Sequence, residues 1–332
     1  TGKTIFVGID VHNKNWMVRL KYEDTISKAI PFTPDPHKLA NYLRKNWPGA
    51  YIIATYEAGY SGFWIYDELT EEGVKTIVAN PADVPTKGKE QTNKTDKIDT
   101  KKLVENLASG QIEGIYVPTV EQRQDRALTR LRNTLVTNQT RYKNRIKAML
   151  QRNGIKYPEQ FSESGSHWSN GFLNWLESLE FRTNSGKQVM LRYLKILRML
   201  REEILQVTRD IRNLGKSEKY KKHCELLISI DGIGLITSMT LLTEIMDMSR
   251  FRQLKHLTSF IGLVPREHSS GDKQRMGHIS HRCNNLLRRI IVEAAWRATS
   301  SDPALQYYYN EAKKRVGAQR AIIKVARKLL SR

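Results

Sequence analysis

Two short apolar runs that each end on an acid constrain this chain more than any other feature. Ile5-Phe6-Val7-Gly8-Ile9 leads into Asp10, and Tyr51-Ile52-Ile53-Ala54-Thr55-Tyr56 leads into Glu57. Runs of this length and β-branched content read as buried strands, so both acids stand at strand ends. A second pair, Asp96 and Asp99, opens a helical stretch in Asn93-Lys94-Thr95-Asp96-Lys97-Ile98-Asp99. The i, i+3 spacing puts both on one helix face. Two strand-end acids and a helical pair offer hard oxygen ligands. Such a set suits Mg²⁺ or Mn²⁺ and the two-metal chemistry of phosphoryl transfer.

The pattern between these acids fixes an order. Residues 4–10, 16–22 and 26–32 read as strands, 36–47 as a helix and 51–56 as a strand. A helix at 63–72, a strand at 74–79, a lysine-rich loop at 82–94 and a helix at 96–109 follow. The order β-β-β-α-β-α-β-α is that of ribonuclease-H-like nuclease folds, in which acids of the first strand, the fourth strand and a late helix converge. The expected fold is therefore an α/β ribonuclease-H-like domain followed by long helices and a mainly helical C-terminal part. Residues 121–153 and 186–214 read as long helices suited to a coiled-coil arm or a plain hairpin, with a loop over 154–171. A turn at Gly232-Ile233-Gly234 precedes an apolar helix at 235–246. It resembles a helix–hairpin–helix, in which Gly232 and Gly234 expose backbone N–H groups to a DNA phosphate; a plain tight turn is the alternative.

Charge divides the chain the same way. The net charge is +21. Residues 1–125 hold 16 Lys and Arg against 17 Asp and Glu, whereas 126–223 hold 21 against 8 and 235–332 hold 18 against 7. A neutral front with an acid cluster, on a polycationic body, fits a metal site on a nucleic-acid binder. Only Cys224 and Cys283 occur, which excludes a disulfide framework or a cysteine zinc site. No apolar run is long enough to span a bilayer, and the N-terminus enters a strand directly. A cytoplasmic protein without membrane or signal segment is expected.

A second cluster lies at Pro265-Arg266-Glu267-His268-Ser269-Ser270-Gly271-Asp272-Lys273, followed by Arg275, His278, His281 and Arg282. Its cations suit a phosphate. A serine there is either a nucleophile or a backbone contact.

Both clusters together resemble the DEDD transposases of the "one-ten" insertion-sequence family, the bridge-RNA-guided recombinases. The resemblance runs through Val7-Gly8-Ile9-Asp10, Tyr56-Glu57-Ala58-Gly59, Asn93 to Asp99, Gly232-Ile233-Gly234, Phe260-Ile261-Gly262-Leu263-Val264-Pro265-Arg266 and Ser270-Gly271. It implies a RuvC-like domain at 1–125, a helical coiled-coil arm at 126–224 and a transposase domain at 225–332. The family's four acids map onto Asp10, Glu57, Asp96 and Asp99, and its nucleophilic serine onto Ser270 rather than Ser269. Arg266, Lys273, Arg275 and Arg282 become candidate nucleic-acid contacts. The resemblance further implies a phosphoserine intermediate, a homo-oligomer (dimer or tetramer) with sites shared between subunits, double-stranded donor and target DNA, and a structured noncoding guide RNA. Two positions depart from the family pattern: Asp231 stands where proline is common, and Thr100 where alanine is common. The alternatives are a metal-dependent junction nuclease, a protein-only DNA invertase and a non-catalytic nucleic-acid binder.

Overall fold

The computed structural model describes residues 2–84, 96–267, 276–279 and 282–332; for 96–98, 266–267 and 276–278 it describes the backbone alone. The chain forms two compact units, Thr1–Val117 and Pro118–Arg332.

The first unit is a mixed sheet flanked by helices. Its strands are β1 (Thr4–Val11), β2 (Trp16–Tyr22), β3 (Thr25–Ile26), β4 (Ile30–Phe32), β5 (Tyr51–Glu57) and β6 (Lys75–Ala79). The helices are α1 (Pro36–Asn46), α2 (Trp64–Glu71) and α3 (Asp96–Ala108). The sheet order is β3-β2-β1-β5-β6, with β4 also paired to β2. β2 runs antiparallel to β1, while β5 runs parallel to β1 and β6 parallel to β5. With β3 and β4 taken as one interrupted third strand, the order 3-2-1-4-5 is consistent with a ribonuclease-H-like sheet. The strand expected at 26–32 is broken at Ser27, whose Oγ accepts from the Leu20 N–H at 3.0 Å in place of a ladder bond.

Alternation decides which face each side chain takes. Ile5, Val7 and Ile9 of β1 and Ile52, Ala54 and Tyr56 of β5 share a buried cluster with Leu39 and Leu43 of α1 and Ile65 and Leu69 of α2. On the other face, Phe6, Ile53 and Ile77 pack with Leu103 and Leu107 of α3. Gly8 sits directly beneath that helix. A Cβ there would lie 2.8 Å from the Thr100 carbonyl oxygen and 3.0 Å from the Val104 nitrogen. Both are backbone atoms that cannot rotate away. Gly8→Ala is therefore expected to push α3 off the sheet and lower stability by about 1–3 kcal/mol, read as a drop in denaturation midpoint. An unchanged midpoint would contradict this close packing.

The second unit is almost wholly helical. α4 (Val120–Arg152) starts on a capping box in which Thr119 and Gln122 bond each other's backbone N–H. α6 (Asn184–Gly215) lies antiparallel along α4. Arg132 bonds Thr208 at one end, and Tyr142 meets Tyr193 further along. The stretch expected as a loop at 154–171 instead folds into short 3₁₀ turns and leads into α5 (Asn170–Ser178), capped by Ser169. Trp168 and Trp175 pack against the buried cluster of Phe161, Phe172 and Leu176. Next come α7 (Lys221–Ile228), α8 (Leu235–Ile245), α9 (Leu254–Ile261), β7 (Pro265–Glu267), β8 (Met276–Ile279), α10 (Asn285–Ser301), α11 (Pro303–Val316) and α12 (Ala318–Leu329). Ile261, Leu287, Ile291, Leu305 and Val325 anchor their common core. Among the described residues no helix is long and apolar enough to cross a membrane.

Candidate active site and nucleic-acid contacts

The β1–β5 register sets the first site. Ile9 pairs with Tyr56 on adjacent parallel strands, so Asp10 and Glu57 each stand one residue further on, side by side at the strand ends. Ile9 and Tyr56 face α1 and α2. By alternation Asp10 and Glu57 therefore face the side that carries Gly8 and α3. Leu103 of α3 packs near Gly8, and the Thr100 carbonyl lies above it. Followed back to its N-terminus, α3 leads through Asp99 to Asp96, which opens the helix. Asp10, Glu57 and the acidic start of α3 thus belong to the same face of one sheet.

These carboxylates have modest local partners. Asp10 is about a fifth exposed and lies 3.2 Å from His12 Nε2. Asp99 Oδ1 is 3.8 Å from Lys102 Nζ. Glu57 is exposed. The strand ends are braced by Tyr60, whose hydroxyl donates to the Val11 carbonyl at 3.0 Å. Nothing in the sequence marked His12 or Tyr60; His12 is recognisable only as a second polar residue just past the strand end. Among the described residues no group of three His, Cys, Asp or Glu side chains gathers closely enough to hold a metal. The Asp96 side chain lies outside the described ones. The donor set itself, carboxylate oxygens at an open sheet end without thiol or imidazole clusters, has the chemistry of a hard divalent cation.

The second cluster is described in part. Arg266 lies on β7, as backbone only, and β7 pairs antiparallel with β8. Ser270, Lys273 and Arg275 lie outside the described residues, in the sequence joining those strands. Arg282 is exposed, just before α10. The described flank of this segment is firmly held. The Asn284 N–H donates to the Phe260 carbonyl at 2.8 Å, and its side chain caps α10 by accepting from the Leu287 N–H. Asn284 Nδ2 also donates to Glu244 Oε2 at 2.7 Å. Glu244, buried in α8, accepts twice from Arg130 of α4, from Nε at 2.5 Å and from Nη2 at 2.8 Å. Sequence reasoning missed this acid. Its signal was a lone charge in the apolar run Leu241-Leu242-Thr243-Glu244-Ile245.

The Gly-Ile-Gly turn joins α7 to α8. Gly232 has φ +86°, and a Cβ there would sit 2.4 Å from the Ala294 carbonyl oxygen of α10. Only glycine fits, because this turn packs against a helix. Gly234 is the N-cap of α8, with open space where a side chain would be. It borders a cleft of about 490 Å³ lined also by Asp231, Arg297, Ser300 and Ser301.

A sheet of ribonuclease-H-like order with acids at its strand ends, followed in the chain by a basic helical unit, is consistent with the class of metal-dependent nucleic-acid enzymes. Comparison with known proteins narrows it. Residues 7–154 match the DEDD transposase model of IS110 type, and residues 224–310 match the model described as Transposase IS116/IS110/IS902 family. Together the two matches span well over half of the chain, which belongs to the IS110 family of transposases. The transposase for insertion sequence element IS1111A of Coxiella burnetii is 28% identical, over 71% of this chain and 63% of the relative. The transposase for IS1533 of Leptospira borgpetersenii is 26% identical, over 89% of this chain and 85% of the relative. The transposase for IS1328 of Yersinia enterocolitica is 27% identical, over 62% and 59%. The chain thus spans a little under two thirds of the first and third of these proteins.

Proposed function

We propose that this protein is an insertion-sequence transposase that cleaves and rejoins DNA strands. Asp10, Glu57, Asp96 and Asp99 hold Mg²⁺ or Mn²⁺, and Ser270 is the nucleophile. The observation that carries the reading is the β1–β5 register, which sets Asp10 beside Glu57 on the face covered by α3. The two family matches support it independently.

When bound, a divalent cation supplies charge stabilisation for the attacking and leaving oxygens. The chain's own residues do the rest. The four carboxylates would hold the cation that orients the scissile phosphate. The Ser270 hydroxyl gives up its proton as its oxygen attacks phosphorus, a serine–phosphate ester forms, the bond from phosphorus to the DNA oxygen breaks, and that leaving oxygen takes up one proton to become a hydroxyl. A second DNA hydroxyl then attacks the same phosphorus, releases Ser270 and completes the exchange. One phosphate ester replaces another, so no nucleotide cofactor is required. The acids of one protomer act with the serine of another in a homo-oligomer. Exposed Met199 and Leu205 on α6 support self-association along the long helices, which then serve as a coiled-coil arm. The basic surplus after residue 125 supports binding of both duplex DNA and a structured noncoding RNA, which supplies the sequence choice by pairing. Gly234 and its cleft fit a helix–hairpin–helix contact with a DNA phosphate.

Reconstitution tests this reading. The chain is combined with donor and target DNA and with transcripts of the DNA flanking its gene. Recombination that depends on the transcript, and moves to new targets when its pairing loops are rewritten, is the expected result. Recombination without any transcript would favour a protein-only invertase, and simple nicking without rejoining a junction nuclease.

A further inference from the structure

We propose that Arg126, set among arginines around the buried Glu244, binds a backbone phosphate of the nucleic acid. The proposal rests on the nucleic-acid reading above but concerns a site that neither the acids nor Ser270 includes. Arg123, Arg126 and Arg130 lie at i, i+3 and i+7 on α4, so they share one helix face. Arg250, from the turn after α8, joins them; its guanidinium stacks over the rings of Phe251 and Phe260, 4.8 and 4.7 Å from their centroids.

The described acids nearby are already engaged. Glu244 gives one oxygen to Arg130 Nε and the other to Arg130 Nη2 and Asn284. Asp125, next to Arg126 in sequence, turns to Lys219 and Tyr220, each at 2.7 Å. Asp247 gives both oxygens to Ser249. Among the described residues no hydrogen bond or ion pair reaches the Arg126 side chain. It is nonetheless half-buried, and burial first, then the charge of Arg130, disfavour its protonated form. A guanidinium does not surrender its proton, so it remains charged there at a cost to stability. A partly desolvated guanidinium that no described acid bonds, set among its own kind with only the charge of Glu244 to favour it, is the complement of a phosphodiester oxygen pair, which the planar fork can grip with two hydrogen bonds. The site also adjoins Asn284, which shares the Glu244 carboxylate with Arg130.

The test measures affinity and stability together. Labelled duplex DNA and a labelled folded RNA hairpin are titrated with the full chain at several salt concentrations. R126Q is expected to weaken binding to at least one of them about tenfold. It should also lower the slope of log Kd against log salt by about one, the mark of one lost phosphate contact. Its melting temperature without nucleic acid should equal or exceed that of wild type, since burial and the neighbouring arginines disfavour this charge more than Glu244 favours it. R126K should recover part of the affinity. Two outcomes overturn the site while leaving the nucleic-acid reading intact: R126Q binding both probes with wild-type affinity and slope, or R126Q losing affinity and melting temperature together. A wild-type chain that bound neither probe would overturn both.

Discussion

Asp10→Asn is expected to slow DNA strand cleavage by at least about a thousandfold, in line with losing a group that stabilises transition-state charge. The substitution keeps shape and removes charge. Asn can still meet His12, which lies 3.2 Å from the carboxylate, so β1 has no reason to move. Asp10 stands beside Glu57 through the pairing of Ile9 with Tyr56. A cation that Asp10 and Glu57 would hold would lose one charged ligand, which the neutral amide does not replace. Nucleic-acid affinity should change little, because the basic surplus lies after residue 125. Cleavage rates on a fixed substrate, with affinity and circular dichroism as controls, check this. Cleavage at the wild-type rate would remove Asp10 from the mechanism.

The second large effect concerns Ser270. Carboxylate-held metals can cleave DNA with water alone, so the acids do not by themselves require a serine. If Ser270 carries the strand, Ser270→Ala should abolish both strand exchange and the protein–DNA adduct, whereas Ser269→Ala should leave most of each. A suicide substrate that traps the intermediate, followed by mapping of the linked peptide, decides the matter. Normal cleavage by Ser270→Ala, together with no adduct in wild type, would make the protein a metal-dependent nuclease in which this serine is only a contact.

Much of the first unit was legible because its signals are local. Alternating apolar residues marked β1 and β5, and the acid after each run marked a strand end. Asp96 and Asp99 were readable as the start of a helix by spacing alone. The third strand was misjudged because its break depends on Ser27 bonding back to Leu20, a contact across strands. α5 was missed for a similar reason. Its short apolar face makes sense only beside Phe161, Tyr157 and the long α6, which are distant or irregular in sequence. The Glu244 site was illegible for the opposite reason: a single buried acid has meaning only once Arg130 and Asn284, more than a hundred residues apart in the chain, are seen to meet on it.

Carboxylates at the ends of β1 and β5 and at the start of α3 are proposed to hold divalent cations. Mn²⁺ binding followed by electron paramagnetic resonance tests this most directly, because it needs neither substrate nor guide. Wild type is expected to bind Mn²⁺ saturably, Mg²⁺ should compete, and Asp10→Asn and Asp99→Asn should each weaken binding by about tenfold or more while the protein stays folded. Saturable binding that is unchanged in both variants, or no binding by folded wild type, would contradict it.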